Sequence, residues 1–286
     1  MTDLLLNVVF ASAFMLSIKW IQVRALEDVV TVGAISYIVS AVLILPQYVQ
    51  NDVVGSSISA MLSGGMMGFC YFVAFFLVIF SIRWVGVSTS TVISMLSILL
   101  PIACGILIWS ERPNGYQNVG IVLAMLALLL IGGARRESET DDRSWFRIGM
   151  LIVFFLLAGS SRLAQEAFKH MSQPDQRPTF LLTAFVVAAI PSIILLLMRG
   201  RRISRREFAF GLVLGAANIL QTHFLLRSLE NFDGFVVFPV TSAGAIILTT
   251  VVATRMLGER LNRLTYSGIA IAVVALVLLN WLGGDY

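Results

Sequence analysis

The chain is poor in charge. Asp, Glu, Lys and Arg together make up 13% of its 286 residues, where a soluble domain carries about 25%. A water-soluble fold is excluded, because it would have almost no polar surface to present. Cysteine is scarce too. Cys70 and Cys104 are the two present, both inside apolar runs, so they read as small packing residues and not as a disulfide framework. No His/Cys set has metal-ligand spacing, and no Gly-rich phosphate loop ends in a Lys, so neither a metal, another cofactor nor a built-in ATPase is expected. A Ser-His-Asp constellation or a carboxylate pair beside a water-filled site is also missing, which argues against an enzyme. The opening residues, Met1-Thr-Asp3, lack the basic start and small-residue cleavage site of a signal peptide, so the first apolar run is expected to stay. The net charge of +4 lies in short loops, and nucleic acid is not an expected partner.

What the chain has in excess is hydrophobicity, at 58% of residues and a mean hydropathy of +0.90. Its expected solvent is the lipid bilayer. Crossing a ~30 Å hydrocarbon core takes roughly 20 apolar residues. Ten runs qualify, at roughly 4–23, 29–47, 58–81, 86–109, 116–133, 147–169, 178–198, 207–229, 234–257 and 264–282. Backbone groups inside lipid must be bonded within their own segment, so these runs are helices. The expected class is an all-α, multi-pass integral membrane protein, with the plasma (inner) membrane as its location.

The second half restates the first. Glu111-Arg112-x-Asn114 followed by Gly120 returns as Glu259-Arg260-x-Asn262 followed by Gly268, a shift of 148 (111 to 259). Ser94/Ser242, Ala124/Ala272 and Ala127/Ala275 keep that register, the mark of an internal duplication. Residues 1–134 form the first five-helix repeat, 135–146 a hydrophilic linker, and 147–286 the second repeat. With an odd number of spans per copy, the second copy starts from the opposite side, which predicts two inverted repeats with a transport site near the midplane. The duplication removes any need to dimerise, so a monomer or weak homodimer is expected. Lys and Arg crowd the loops after odd-numbered spans, among them Arg135, Arg136, Arg199, Arg202 and Arg206. The positive-inside rule then puts both termini outside, whereas many proteins of this architecture are thought to have them in the cytoplasm.

The duplicated corners, Ser110-Glu111-Arg112 and Gly258-Glu259-Arg260, each lead into a helix rich in small residues. In this the chain resembles ten-helix, EamA-type members of the drug/metabolite transporter superfamily, over nearly its whole length. The first corner departs from the common pattern, with Ser110 in place of Gly and Pro113 after the Arg. The resemblance implies a secondary active transporter working by alternating access. Its substrate class stays open, since relatives carry amino acids, sugars, nucleotide sugars, drugs and other metabolites. Export of an amino acid or related metabolite comes first, with sugar or nucleotide-sugar transport next. A non-transporting receptor or assembly protein is the rival from another class.

Polar residues inside spans carry the rest, because a charge at the helix centre facing lipid costs about 2.5–3.5 kcal/mol. Arg162 and Glu166 stand four apart on span 6 and can neutralise each other; Arg162 suits a substrate carboxylate. Asn218 and Thr222 share a face of span 8, and Ser242 follows Pro239 on span 9. These groups are expected to line one polar pocket of spans 6, 8 and 9, with Tyr71 and Ser94 facing it from the first half. Glu166 and His223 are the expected carriers of a coupling proton. Glu111 is expected to hold its turn by accepting N–H bonds from the start of the helix that follows. Gly64-x-x-x-Gly68 and Gly211-x-x-x-Gly215 predict close backbone approach, either as tight packing or as faces that slide.

Overall fold

The computed structural model describes residues 1–24, 28–50, 57–133, 144–200, 202–257 and 263–280. Among these there are ten α-helices and no strand: α1 Thr2–Arg24, α2 Val29–Gln50, α3 Ile58–Leu96, α4 Leu99–Leu107, α5 Gly115–Gly133, α6 Ser144–Met171, α7 Arg177–Arg199, α8 Arg205–Asn231, α9 Gly234–Leu257 and α10 Arg263–Asn280. Among the described residues, five stretches are long and apolar enough to cross a membrane, namely Val29–Gln50, Ile58–Phe75, Gly149–Met171, Pro174–Arg199 and Arg205–Asn231. Thr2–Ile18, Gly115–Ala127, Gly234–Thr249 and Tyr266–Leu279 are shorter apolar helices. The chain is an integral membrane protein. The second corner, Glu259-Arg260-x-Asn262, lies outside the described residues, as does most of the expected linker.

One helix start repeats at the period read from the sequence: Val29 returns as Arg177 (29 to 177). One boundary differs from expectation. Spans 3 and 4 were expected to part between 81 and 86, but α3 continues through these residues and the break falls at Ser97–Ile98. The cause is local. Residues 82–85, Ile-Arg-Trp-Val, contain nothing that ends a helix, whereas Pro101 has no N–H to offer the Ser97 carbonyl. That carbonyl takes the Leu100 N–H at 3.2 Å instead.

The chain divides into two compact units. The first holds Met1–Val73 with Ala164–Asn231, the second Ala74–Leu163 with Phe232–Tyr286. In the first unit α1 lies along α8, α8 along α2, and α2 along α7. The two glycine pairs make its closest approaches. A Cβ at Gly64 would fall 2.5 Å from the Phe180 carbonyl oxygen, and one at Gly68 2.1 Å from that of Ala184. Gly211 and Gly215 receive α2 likewise, a Cβ there meeting Ile35 at 2.3 Å and the Ser36 carbonyl at 2.7 Å. Ser40 Oγ adds a bond to the Gly215 carbonyl at 2.9 Å.

Polar contacts at helix ends fix directions in this unit. α8 begins with a reciprocal capping box, in which Ser204 N–H donates to Glu207 and Glu207 N–H to Ser204 Oγ. Glu207, fully buried, also accepts the Asp28 N–H ahead of α2 at 3.4 Å. Asp28 pairs in turn with Arg199 at the end of α7. At the other end Arg227 of α8 pairs with Asp3 of α1 at 3.5 Å, and Glu230 with Arg177 at the start of α7. Ser59, in the first turn of α3, donates to the Met171 carbonyl at the end of α6. Thus α1, α3 and α7 run one way, and α2, α8 and the end of α6 the other.

In the second unit α5 and α10 form the main helix pair. Gly120, near the start of α5, abuts Leu279, near the end of α10, while Ala127 and Ala272 meet at mid-length with Ala243 of α9. As α5 advances from 120 to 127, its partner retreats from 279 to 272, so the two are antiparallel. The repeated alanines 124, 127, 272 and 275 are all fully buried. Their recurrence in sequence is the recurrence of one helix-facing stripe.

Candidate functional site

In the second unit the proline break builds an acceptor site for a cation. Ser97 Oγ donates to the Ser94 carbonyl at 2.7 Å. Arg162, on α6, directs Nη1 at both, reaching the Ser94 carbonyl at 2.8 Å and Ser97 Oγ at 2.5 Å. Ser97 is fully buried, while Ser94 and Arg162 are half-buried. Gly159, one turn before Arg162, lets α6 approach, since a Cβ there would lie 3.0 Å from the Ser97 carbonyl. Charge-assisted bonds of this kind fix a guanidinium in place within an apolar surround. Ser242, also in this unit, is half-buried on α9, and the neighbouring Thr241 Oγ1 is buried without a hydrogen-bond partner.

The first corner works differently from expectation. Glu111 Oε1 accepts the N–H of Gly234 at 3.3 Å, so its carboxylate serves the start of α9, not the helix that follows it in sequence. A negative charge there complements the positive end of the α9 dipole. α5 needs no help, because Asn114 and Gln117 exchange backbone-to-side-chain bonds of 2.8 and 2.9 Å in a capping box of their own. Glu111 N–H returns to the Gly105 carbonyl at 3.0 Å.

The turn before Glu111 takes a left-handed backbone, which favours glycine. Ser110 has φ +58°, the one positive-φ non-glycine among the described residues. Left-handed backbone is disfavoured for residues with a Cβ by roughly 1–2 kcal/mol, and Ser110 is exposed. Ser110→Gly should therefore raise the unfolding free energy by about 0.5–1 kcal/mol, once the entropy of a freer unfolded chain is deducted. A melting midpoint unchanged or lowered in detergent would mean that the serine side chain offsets its own strain.

In the first unit, Glu166 has no exposed surface and meets basic side chains on the next turn of its own helix, Lys169 Nζ at 3.6 Å and His170 Nε2 at 3.2 Å. Gln165, beside it, donates to Met67 Sδ at 3.6 Å. Sequence reasoning sets Arg162 four residues before Glu166 and passes over His170, four residues after it; the same helical spacing finds both. His223, the other histidine, is half-buried and packs edge-on against Phe224, with ring centroids 5.5 Å apart.

Asn218 and Thr222 are buried together on α8. Thr222 Oγ1 donates to the Asn218 carbonyl and Gln221 Nε2 to Asn218 Oδ1. Asn7 of α1 joins them, donating Nδ2 to the Gln221 carbonyl at 2.6 Å. It is the one carboxamide in the apolar part of the first helix, a legible signal that polarity counting passed over. Tyr71 is half-buried, and its carbonyl accepts the hydroxyl of the buried Tyr37 at 3.2 Å. The residues expected to line one pocket are thus shared between the units: Tyr71, Glu166, Asn218, Thr222 and His223 in the first, Ser94, Arg162 and Ser242 in the second.

Residues 4–133 match the EamA-like transporter family, which belongs to the drug/metabolite transporter superfamily. An uncharacterized protein of Haemophilus influenzae (strain Rd) is 25% identical over 213 residues, covering 71% of this chain and 69% of that one. A crystal structure described only as that of a protein shares the fold, with a TM-score of 0.72 and 12% identity over 99% of each chain.

Proposed function

We propose, from the membership of residues 4–133 in the EamA-like transporter family, that the whole chain is a secondary active transporter of the inner membrane. The observation that carries this reading is Glu166, a carboxylate without exposed surface inside a membrane helix, with Lys169 and His170 on the following turn. Charge inside a span is expensive and serves transport more often than scaffolding. The directions of the helices support two inverted repeats: α1, α2, α3 and α5 each run opposite to α6, α7, α8 and α10, their counterparts one period later. Inversion is what lets one bundle present the same site to either side in turn.

The substrate is a small polar organic metabolite, with an amino acid first and a sugar or nucleotide sugar second. Arg162 is the natural anchor for a substrate carboxylate, with Ser94 beside it and Ser242 in register with Ser94 one period later. Proton coupling or exchange supplies the drive, with Glu166 and His223 as the carriers.

The test is a thermal-shift screen of the purified protein against amino acids, sugars, nucleotide sugars and cationic drugs, followed by uptake into liposomes under an imposed proton gradient. A ligand at 100 times its Kd should stabilise the fold by ~2.7 kcal/mol, and the same ligand should accumulate when the gradient is applied. A well-folded protein that responds to none of these classes and carries none of them would overturn the reading in favour of a non-transporting bundle.

A further inference from the structure

Asn7 is 2% exposed, and its carboxamide is half used. Nδ2 donates to the Gln221 carbonyl at 2.6 Å, whereas Oδ1 is buried and meets no donor. The orientation is not interchangeable, because a flipped amide would set its oxygen against the carbonyl oxygen of Gln221. The Gln221 carbonyl sits within α8, so it does not depend on Asn7 for a donor. The unpaired oxygen lies at the level of Asn218, Gln221 and Thr222, where Gln221 Nε2 donates to Asn218 Oδ1 and Thr222 Oγ1 to the Asn218 carbonyl. Native proteins rarely leave a buried acceptor unmet, and each exception calls for a physical explanation.

We propose that Asn7 is a substrate-binding residue whose Oδ1 accepts a hydrogen bond from an N–H or O–H group of the transported molecule. The inference rests on the transporter reading and narrows it. At this point the site takes a donor, an ammonium or a hydroxyl, and rejects a carboxylate or phosphate. An amino acid meets this requirement through its ammonium, and a sugar through its hydroxyls. Asn7 acts as a selectivity residue, since an analogue without the donor leaves the oxygen buried and unmet.

Two forms of the full-length protein decide it: wild type and Asn7→Leu. Each is melted in detergent alone, and then titrated with the twenty common L-amino acids and with glucose and galactose. Without ligand, Asn7→Leu should melt at or above the wild-type temperature, because it removes a buried unpaired oxygen and orphans nothing. Its affinity for the probes that shift wild type should fall at least tenfold. If Asn7→Leu fails to fold, wild type alone decides: the N,N,N-trimethyl or O-methyl derivative of a probe that binds, which has no N–H or O–H at that group, should bind at least tenfold more weakly, and equal affinity overturns the proposal. A folded Asn7→Leu that binds as wild type does overturns it, the oxygen then serving an ordered water only or the bond to Gln221 serving as a helix tie. A wild type that responds to no probe and carries none into liposomes brings down the transporter reading as well, an outcome separate from failure at Asn7 alone.

Discussion

Gly68→Ala is expected to destabilise the protein by about 3 kcal/mol or more, at the upper end for overpacked sites, while Gly65→Ala three residues earlier should cost nothing. The two changes are chemically identical and lie on the same helix. A Cβ at Gly68 would stand 2.1 Å from the Ala184 carbonyl oxygen, and at Gly65 its nearest neighbour is a Thr183 methyl at 4.0 Å. The first obstacle is backbone, which cannot turn aside as a side chain can. α3 and α7 would have to separate along the whole contact, giving up the dense packing on both sides of it. Gly64→Ala, at 2.5 Å from the Phe180 carbonyl, should fall between the other two. At Gly65 an alanine gains up to ~1 kcal/mol of helix propensity. Denaturation of the three variants in one detergent reads the order directly. A Gly68→Ala protein as stable as Gly65→Ala would mean that the helices do not meet at this seam.

Arg162→Ala should lower transport by roughly 10- to 150-fold, the worth of about 1.5–3 kcal/mol for a hydrogen bond to a charged group, while the protein still folds. The change removes the donor that reaches the Ser94 carbonyl and Ser97 Oγ, and with it the cation proposed to hold the substrate. Arg162→Lys should recover part of the rate, since an ammonium restores charge but not the planar fork that spans two acceptors. Uptake per folded molecule in liposomes, with folding checked by the melting midpoint, separates lost function from lost protein. Full transport by Arg162→Ala would remove the arginine from the site and leave it as a brace between α6 and the broken helix.

Much of the fold is legible in the amino-acid sequence, and for a physical reason. Lipid demands long apolar helices, so their number and approximate limits follow from hydrophobicity, and the period of 148 (111 to 259) follows from the repeated residues themselves. The end of α3 is harder to place, because the change in polarity at Arg83 resembles a turn. Helices end where a hydrogen bond cannot be made, and Pro101 is the better guide. Glycine spacing announces that backbones meet but cannot name their partners. That Gly68 receives Ala184, 116 positions away (68 to 184), depends on the packed bundle. The same holds for the candidate site. Spacing on one helix finds neighbours such as Glu166 and His170, whereas Arg162 reaches Ser94 across 68 residues of chain. For Glu111 sequence order points to the next helix, yet electrostatics requires only a helix start nearby, and that of α9 is the one it meets.

The seam of Gly64 and Gly68 also constrains how this molecule can move. Where two helices touch through interlocking side chains, one can creep past the other as rotamers change in turn. Here a carbonyl of α7 occupies each notch of α3, and a glycine has no rotamer to yield. Axial travel would drive the next Cβ along the helix into those oxygens, so no intermediate offset is comfortable. The contact is a detent: engaged at one setting, or released altogether.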